Sequence, residues 1–201
     1  MKEQIPEFIE TVLFEKRAKY CLLIPLFNEG KRYIAQIEKM KKAGVFKKVD
    51  VIICDAGSTD GSTELDILKK SGHRAILVRQ GKGRYSTDLR MGYYWAIQQG
   101  YAGFITVDGN DKDDVTAIDL FIQKLDEGYD YVQGSRFIRG GKKVNTPFIR
   151  LAAMRLINEP VMSLCAHRHL TDTTNGFRAY SRSFFLDELL KPSYIDGKQT
   201  G

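Results

Sequence analysis

Tyr101-Ala102-Gly103-Phe104-Ile105-Thr106-Val107-Asp108-Gly109-Asn110-Asp111-Lys112-Asp113-Asp114 is the stretch on which the reading of this chain turns. An apolar run ends in a cluster of carboxylates, and a helical pattern starts directly after it at Val115. A buried strand that passes through a polar loop into a helix is the repeating unit of a parallel α/β sheet, whose ligands sit where strands end. Carboxylates crowded on one turn repel each other unless a positive group is shared among them. A hard divalent cation bridged to a phosphate is the usual one. The plainer reading is an acidic helix N-terminus, where carboxylates favour the dipole by ~0.3–1 kcal/mol, and Asp113 and Asp114 fit it.

The same unit recurs upstream. Tyr20-Cys21-Leu22-Leu23-Ile24-Pro25-Leu26 and Val49-Asp50-Val51-Ile52-Ile53-Cys54 read as buried strands, and Ala75-Ile76-Leu77-Val78 as a third. A helix capped by Asn28 runs to about Ala43 and stops at Gly44. Asp60 or Ser62 caps a second helix, which ends at Ser71-Gly72. The Gly-rich loop Gln80-Gly81-Lys82-Gly83-Arg84 leads into a helix over 86–99. Ile118, Phe121, Ile122 and Leu125 form one stripe of a helix from Val115 to Leu125, and Tyr129–Gly134 reads as a fifth strand. Ile5, Phe8, Ile9, Val12 and Leu13 recur at helical spacing, so residues 1–18 read as an amphipathic helix. Continuous apolar strands alternating with helices predict an α/β fold, a mostly parallel central sheet with helices on both faces.

Composition bounds the rest. A 201-residue chain that is 43% hydrophobic supports one sizeable core and excludes a disordered chain. A net charge of +6 favours anionic partners. Lys39, Lys41, Lys42, Lys47 and Lys48 read first as a solvated helix face, and no nucleic-acid-binding pattern appears, so no nucleic-acid partner is expected. Cys21, Cys54 and Cys165 are scattered, without disulfide or zinc spacing, which suits a reducing cytoplasm. No signal-peptide pattern and no uncharged run of roughly 20 residues is visible, so a soluble or membrane-surface protein is expected.

Three loops carry candidate chemistry. Pro25-Leu26-Phe27-Asn28-Glu29 offers a helix start to an anion, or is a plain cap. Asp55-Ala56-Gly57-Ser58-Thr59-Asp60-Gly61 places a carboxylate and small residues at a strand end, for a base or ribose or merely for a turn. Asp108-Gly109-Asn110-Asp111 offers oxygen ligands to a divalent ion. His73 reads as structural, and His167 and His169 as surface residues.

In this order the three loops resemble glycosyltransferase family 2, the inverting enzymes of the GT-A (Rossmann-like) fold. Pro25–Glu29 is similar to P-x-x-N-E, Ile53–Gly61 to V-D-D-G-S-T-D-G, and Asp108-Gly109-Asn110 to the metal-binding D-x-D. Gln133-Gly134-Ser135-Arg136 and Asp172–Arg182 resemble the G-S-R and D-x-x-S-G-F-R-A-F-S-R of the dolichyl/polyprenyl-phosphate sugar-transferase branch. The resemblance implies a domain over 19–190, with a donor half about 19–136 and an acceptor half about 137–190, followed by a tail over 191–201. It implies that Pro25, Asn28 and Glu29 line the nucleotide pocket and that Asp55 contacts the base with Ser58 nearby. Asp108 would hold Mg²⁺ or Mn²⁺, Arg136 and Arg150 the acceptor phosphate, while Met154 stands where the branch has a serine. Asn110 replaces the second Asp with a neutral oxygen, and Asp111 is the alternative second ligand.

The implied activity is transfer of a sugar from a UDP- or GDP-sugar to a polyprenyl (lipid) phosphate. The E-D pair and Q-x-x-R-W of hydroxyl-glycosylating relatives are absent, and an anionic acceptor needs no base. Two alternatives stay open: transfer to a carbohydrate hydroxyl in O-antigen or capsule assembly, with Asp172 as base, or a non-catalytic nucleotide-sugar-binding relic. Phe148–Ala166 mixes apolar residues with Arg150 and Arg155 beside the basic loop Arg139–Lys143. It reads either as a core helix pair or as an interfacial segment on the cytoplasmic membrane.

Overall fold

The computed structural model describes residues 5–138, 159–165, 167, 171–172 and 174–186. The expectations for Arg150, Met154, the 139–143 loop, most of 148–166, His169 and the 191–201 tail lie outside the described residues.

Seven strands form one sheet in the order β1-β4-β3-β2-β5-β7-β6. β2 (Tyr20–Leu26), β3 (Asp50–Asp55), β4 (Ala75–Arg79) and β5 (Gly103–Thr106) form its parallel centre. β1 (Phe8–Val12) closes one edge antiparallel to β4, and β7 (Arg178–Ser181) and β6 (Tyr131–Gln133) extend the other edge antiparallel. The sheet is therefore mixed, with its parallel part where the apolar runs are longest. β2 and β3 are buried at every residue because both their faces are covered.

Alternate side chains of those strands serve two cores. Leu22, Ile24, Leu26, Val51 and Ile53 face Tyr33, Ile37 and Met40 of α1 (Gly30–Lys42), Leu68 of α3 (Leu65–Ser71), and Phe121 and Leu125 of α5 (Ile118–Asp126). The short α2 (Val45–Lys48) adds Val45 to that side. Cys21, Leu23, Ile52 and Cys54 face Met91, Trp95 and Ala96 of α4 (Tyr85–Gln98). Helices thus cover both faces, as the alternating pattern predicts.

Three local expectations are corrected. Residues 8–12 are an edge strand rather than a helix. Phe8, Ile9, Thr11 and Val12 are β-favouring types, and β4 supplies backbone partners from Phe8↔Arg79 to Val12↔Ala75. Asn28 does not cap α1, whose N-cap position is Glu29, and Asn28 instead adopts φ 51° and reaches the next loop. Asp60 and Ser62 do not cap α3, whose N-cap is Glu64. Asp60 binds the Ser62 backbone N–H (3.0 Å) and hydroxyl (2.6 Å) in a local turn.

Candidate active site

In the order β4-β3-β2-β5 the parallel strands after β2 are added first on one side of it and then, with β5, on the other, and a crevice at the strand C-termini is expected at that switch. A cavity of about 600 Å³ occupies that place. Pro25, Leu26, Phe27 and Glu29 line it after β2, Ala56 after β3, Arg79 and Gly81–Arg84 after β4, Tyr85 and Asp88 from α4, and Asp108–Asn110 after β5. Lys82 and Arg84 bring positive charge to the cavity that Asp108 also lines. Pro25, Glu29, Asp108 and Asn110 are the sequence-predicted residues it brings together.

Asn28, Asp55 and Ser58 meet one another beside it. Asn28 N–H donates to Ser58 Oγ (3.0 Å), and Thr59 N–H donates to Asn28 Oδ1 (2.8 Å). Ser58 donates from its hydroxyl (2.6 Å) and its N–H (3.0 and 3.1 Å) to Asp55. This lattice clamps the loops after β2 and β3 together. Burial pushes the Asp55 carboxyl up despite those bonds.

The acidic cluster divides into separate roles. Asp108 Oδ1 accepts the Tyr85 phenol (2.7 Å), and Asp108 Oδ2 faces the Asn110 amide at 3.4 Å. Asp111, in the left-handed region at φ 62°, pairs with Lys39 of α1 (2.7 Å), and its N–H donates to Gln36 Oε1 (2.8 Å). That engagement commits Asp111 Oδ2 to α1, while its buried Oδ1 has no hydrogen-bond partner among the described residues. Asp114 caps the turn at Val115–Ala117 by accepting from Thr116 N–H. Asp113 does not merely cap: burial, then the charge of Asp108, pushes its carboxyl up to about 6 against the pull of Arg136. Nothing in the local sequence separates Asp113 from Asp114; burial in the fold, and then the charge of Asp108, sets it apart.

Arg136 grips Asp172 through Nε (2.7 Å) and Nη2 (2.9 Å), and its backbone N–H donates to the same carboxylate (3.1 Å). Nη2 also donates to Thr174 Oγ1 (2.8 Å). Burial alone would raise the Asp172 carboxyl, but the bonds and charge of Arg136 outweigh it and hold it below the usual range. A buried carboxylate with both oxygens committed to a guanidinium is a poor proton acceptor.

The donor set around Asp108 fits a hard divalent cation. Asp108 and Asp113 offer oxygen ligands and repel each other as like charges, while Asn110 turns its amide N–H2 toward Asp108 and its Oδ1 accepts from Lys112 N–H (3.2 Å). Gly176 leaves the necessary space, since a Cβ there would stand 3.1 Å from Asp108 Oδ1. Among the described residues no three His, Cys, Asp or Glu side chains converge for a metal. A cation here would therefore complete its shell with phosphate oxygens and water.

A sequence profile described as Glycosyl transferase family 2 matches residues 21–188. The chain is 29% identical over 170 residues to Glycosyltransferase AglJ of Haloferax volcanii, covering 85% of this chain and 52% of that protein. It is 25% identical over 180 residues to polyprenol monophosphomannose synthase of Mycolicibacterium smegmatis, covering 88% and 66%. The chain thus spans about half to two thirds of the length of these relatives. Among solved structures, glucosyl-3-phosphoglycerate synthase of Mycobacterium tuberculosis, with Mn²⁺, UDP and glucosyl-3-phosphoglycerate, superposes with a TM-score of 0.56. The identity is 18%, covering 83% of this chain and 57% of that one, and the likeness establishes the GT-A fold.

Proposed function

This chain belongs to glycosyl transferase family 2, and from that premise we propose that it moves a sugar from a nucleotide-diphosphate sugar to a polyprenyl phosphate, with inversion. The observation that carries this reading is the Arg136–Asp172 fork. Asp172, the carboxylate of the Asp172–Arg182 motif, is spent on holding an arginine, so that motif supplies a guanidinium rather than a free base. A phosphate oxygen attacks the anomeric carbon without losing a proton. The new C–O bond forms as the bond to the diphosphate breaks, and the electron pair leaves with the nucleoside diphosphate.

The residues divide the work. Pro25, Glu29 and Ala56 wall the nucleotide end, braced by the Asn28–Ser58–Asp55 lattice. Lys82 and Arg84 stabilise the diphosphate with charge positioned in advance. Asp108, with Asn110 and Asp113 beside it, would hold Mg²⁺ or Mn²⁺, which neutralises the departing diphosphate. Asp172 holds the Nε–Nη2 edge of the Arg136 guanidinium, which leaves its Nη1 end to meet a phosphate. The protein would work at the cytoplasmic membrane surface, where a lipid acceptor resides, and among the described residues no helix is long and apolar enough to cross a membrane.

A second reading has one observation in its favour. Asp113, with its carboxyl near 6, is suited to accept a proton from a carbohydrate hydroxyl. A donor screen with UDP- and GDP-sugars against polyprenyl phosphate and against free glycans, with product anomers read by NMR, separates the two. We expect lipid-linked product of inverted configuration, abolished by Asp108→Ala. Glycan product in place of lipid-linked product would establish the second reading, and retention of configuration would sink the first.

A further inference from the structure

We propose that Tyr85 is a positioning residue that fixes the Asp108 carboxylate and ties it to the Gly81–Arg84 loop, so that a divalent cation and a nucleoside diphosphate are taken up together. The inference rests on the reading of Asp108 as the cation-holding residue.

Tyr85 is the first residue of α4 and follows Arg84 directly, while Asp108 comes from the loop after a different strand. The phenol nonetheless donates to Asp108 Oδ1 at 2.7 Å across the cavity wall. Gly176 flanks that bond, and a Cβ there would stand 3.1 Å from Oδ1 and 3.4 Å from the phenol oxygen. The carboxylate is therefore held between α4 and the loop before β7. The long contact at Oδ2, 3.4 Å to the Asn110 amide, leaves that oxygen the easier one to surrender to a cation. An Asp side chain has two torsions to lose on coordination, and a fixed carboxylate has already lost them.

The loop that Tyr85 terminates is itself held. Arg79 donates from Nη1 to the Gly81 carbonyl and from Nε to Asp88 of α4 at 2.5 Å, in a buried ion pair. Gly83 packs so closely on that guanidinium that a Cβ would stand 2.8 Å from it. At the helix start, Arg84 N–H donates to Thr87 Oγ1 (3.2 Å) and Thr87 N–H donates to the Arg84 carbonyl (2.7 Å). A diphosphate settling on Lys82 and Arg84 thus engages a braced loop whose last bond ends on Asp108. Coupling of this kind is reciprocal, so each ligand should raise the affinity of the other.

The test uses the full chain and Mn²⁺, followed by the electron paramagnetic resonance signal of the free ion, with and without UDP or GDP. Wild type should bind Mn²⁺ more tightly when its nucleotide is present. Tyr85→Phe, which keeps the ring, should weaken Mn²⁺ binding roughly ten-fold and reduce the nucleotide enhancement, with the metal-free melting temperature unchanged. Gly176→Ala, which keeps both partners but crowds the Tyr85–Asp108 bond with a Cβ, should weaken Mn²⁺ in the same direction. If Asp108→Ala loses Mn²⁺ while both variants bind it as wild type does, the positioning role is overturned and the reading of Asp108 stands. If wild type takes up no Mn²⁺ with either nucleotide, that reading falls and the inference falls with it.

Discussion

Arg136 and Asp172 meet through two parallel hydrogen bonds, a contact that a lysine ammonium cannot copy. Arg136→Lys should raise the KM for the lipid phosphate roughly ten-fold, while nucleotide binding by calorimetry stays unchanged. A fall in nucleotide affinity instead would move Arg136 out of the acceptor site. His73 makes a second residue-scale prediction. It is fully buried, its Nδ1 lies 3.2 Å from the Leu68 carbonyl, and its Nε2 lies 2.6 Å from the Tyr33 hydroxyl. Burial pulls it down from 6.5 to about 4. The unfolded chain takes up this proton first as pH falls, so the folded state is fully favoured above about 6.5 and loses that advantage progressively toward about 4. Urea midpoints should fall across that window, and His73→Gln should flatten the fall while lowering the midpoint at pH 7.5. An unchanged slope in the variant would assign the acid sensitivity to other groups. Asp108 was legible in the sequence because it ends a strand inside a motif. Asp113 was not, because a carboxylate next to a helix start has an adequate local explanation, and its raised carboxyl depends on residues brought in by folding.

Among the elements, α4 shows how closely the cavity wall is fitted to the sheet. At Gly92 an added Cβ would overlap Cys54 Sγ of β3 and lie 3.4 Å from Leu23. Alanine would gain about 1 kcal/mol of helix propensity but force the helix off the sheet, an overpacking cost of about 1–3 kcal/mol. Gly92→Ala should lower the melting temperature by several degrees and weaken nucleotide binding, since α4 carries Tyr85 and Asp88 into the cavity. A variant that melts higher than wild type would show that α4 can slide without cost. The helices and central strands were readable because their periods are long and unbroken. Phe8–Val12 was not, since Ile5, Phe8, Ile9 and Val12 satisfy a helical spacing as well as a strand. What decides for the strand is the open edge of β4, together with the bond from Trp95 of α4 to Glu10. Neither partner is local to residues 1–18.

At the scale of the whole molecule, the strand order is the feature the sequence could least supply. Alternating elements imply a parallel sheet, but only the pairing of β2 with both β3 and β5 locates the reversal that opens the cavity. A surface apart from the cavity carries exposed apolar residues. Ile138 is 54% exposed, and on the helix Glu159–Cys165 Val161 and Met162 are exposed and Leu164 is 76% so. Apolar side chains left in water by a chain of net charge +6 match the requirements of an anionic lipid surface: apolar contact to insert and positive charge to attract. Co-sedimentation with vesicles of anionic phospholipid should therefore retain the protein at low salt, and more weakly as NaCl screens the attraction over a Debye length of about 8 Å at physiological strength. Leu164→Glu should weaken retention at every salt concentration, because it removes the inserted contact and adds a repelled charge. Retention that ignores salt but falls in Leu164→Glu would make the contact purely apolar. No retention at any salt would remove the membrane from the account and leave the lipid phosphate to be delivered in solution.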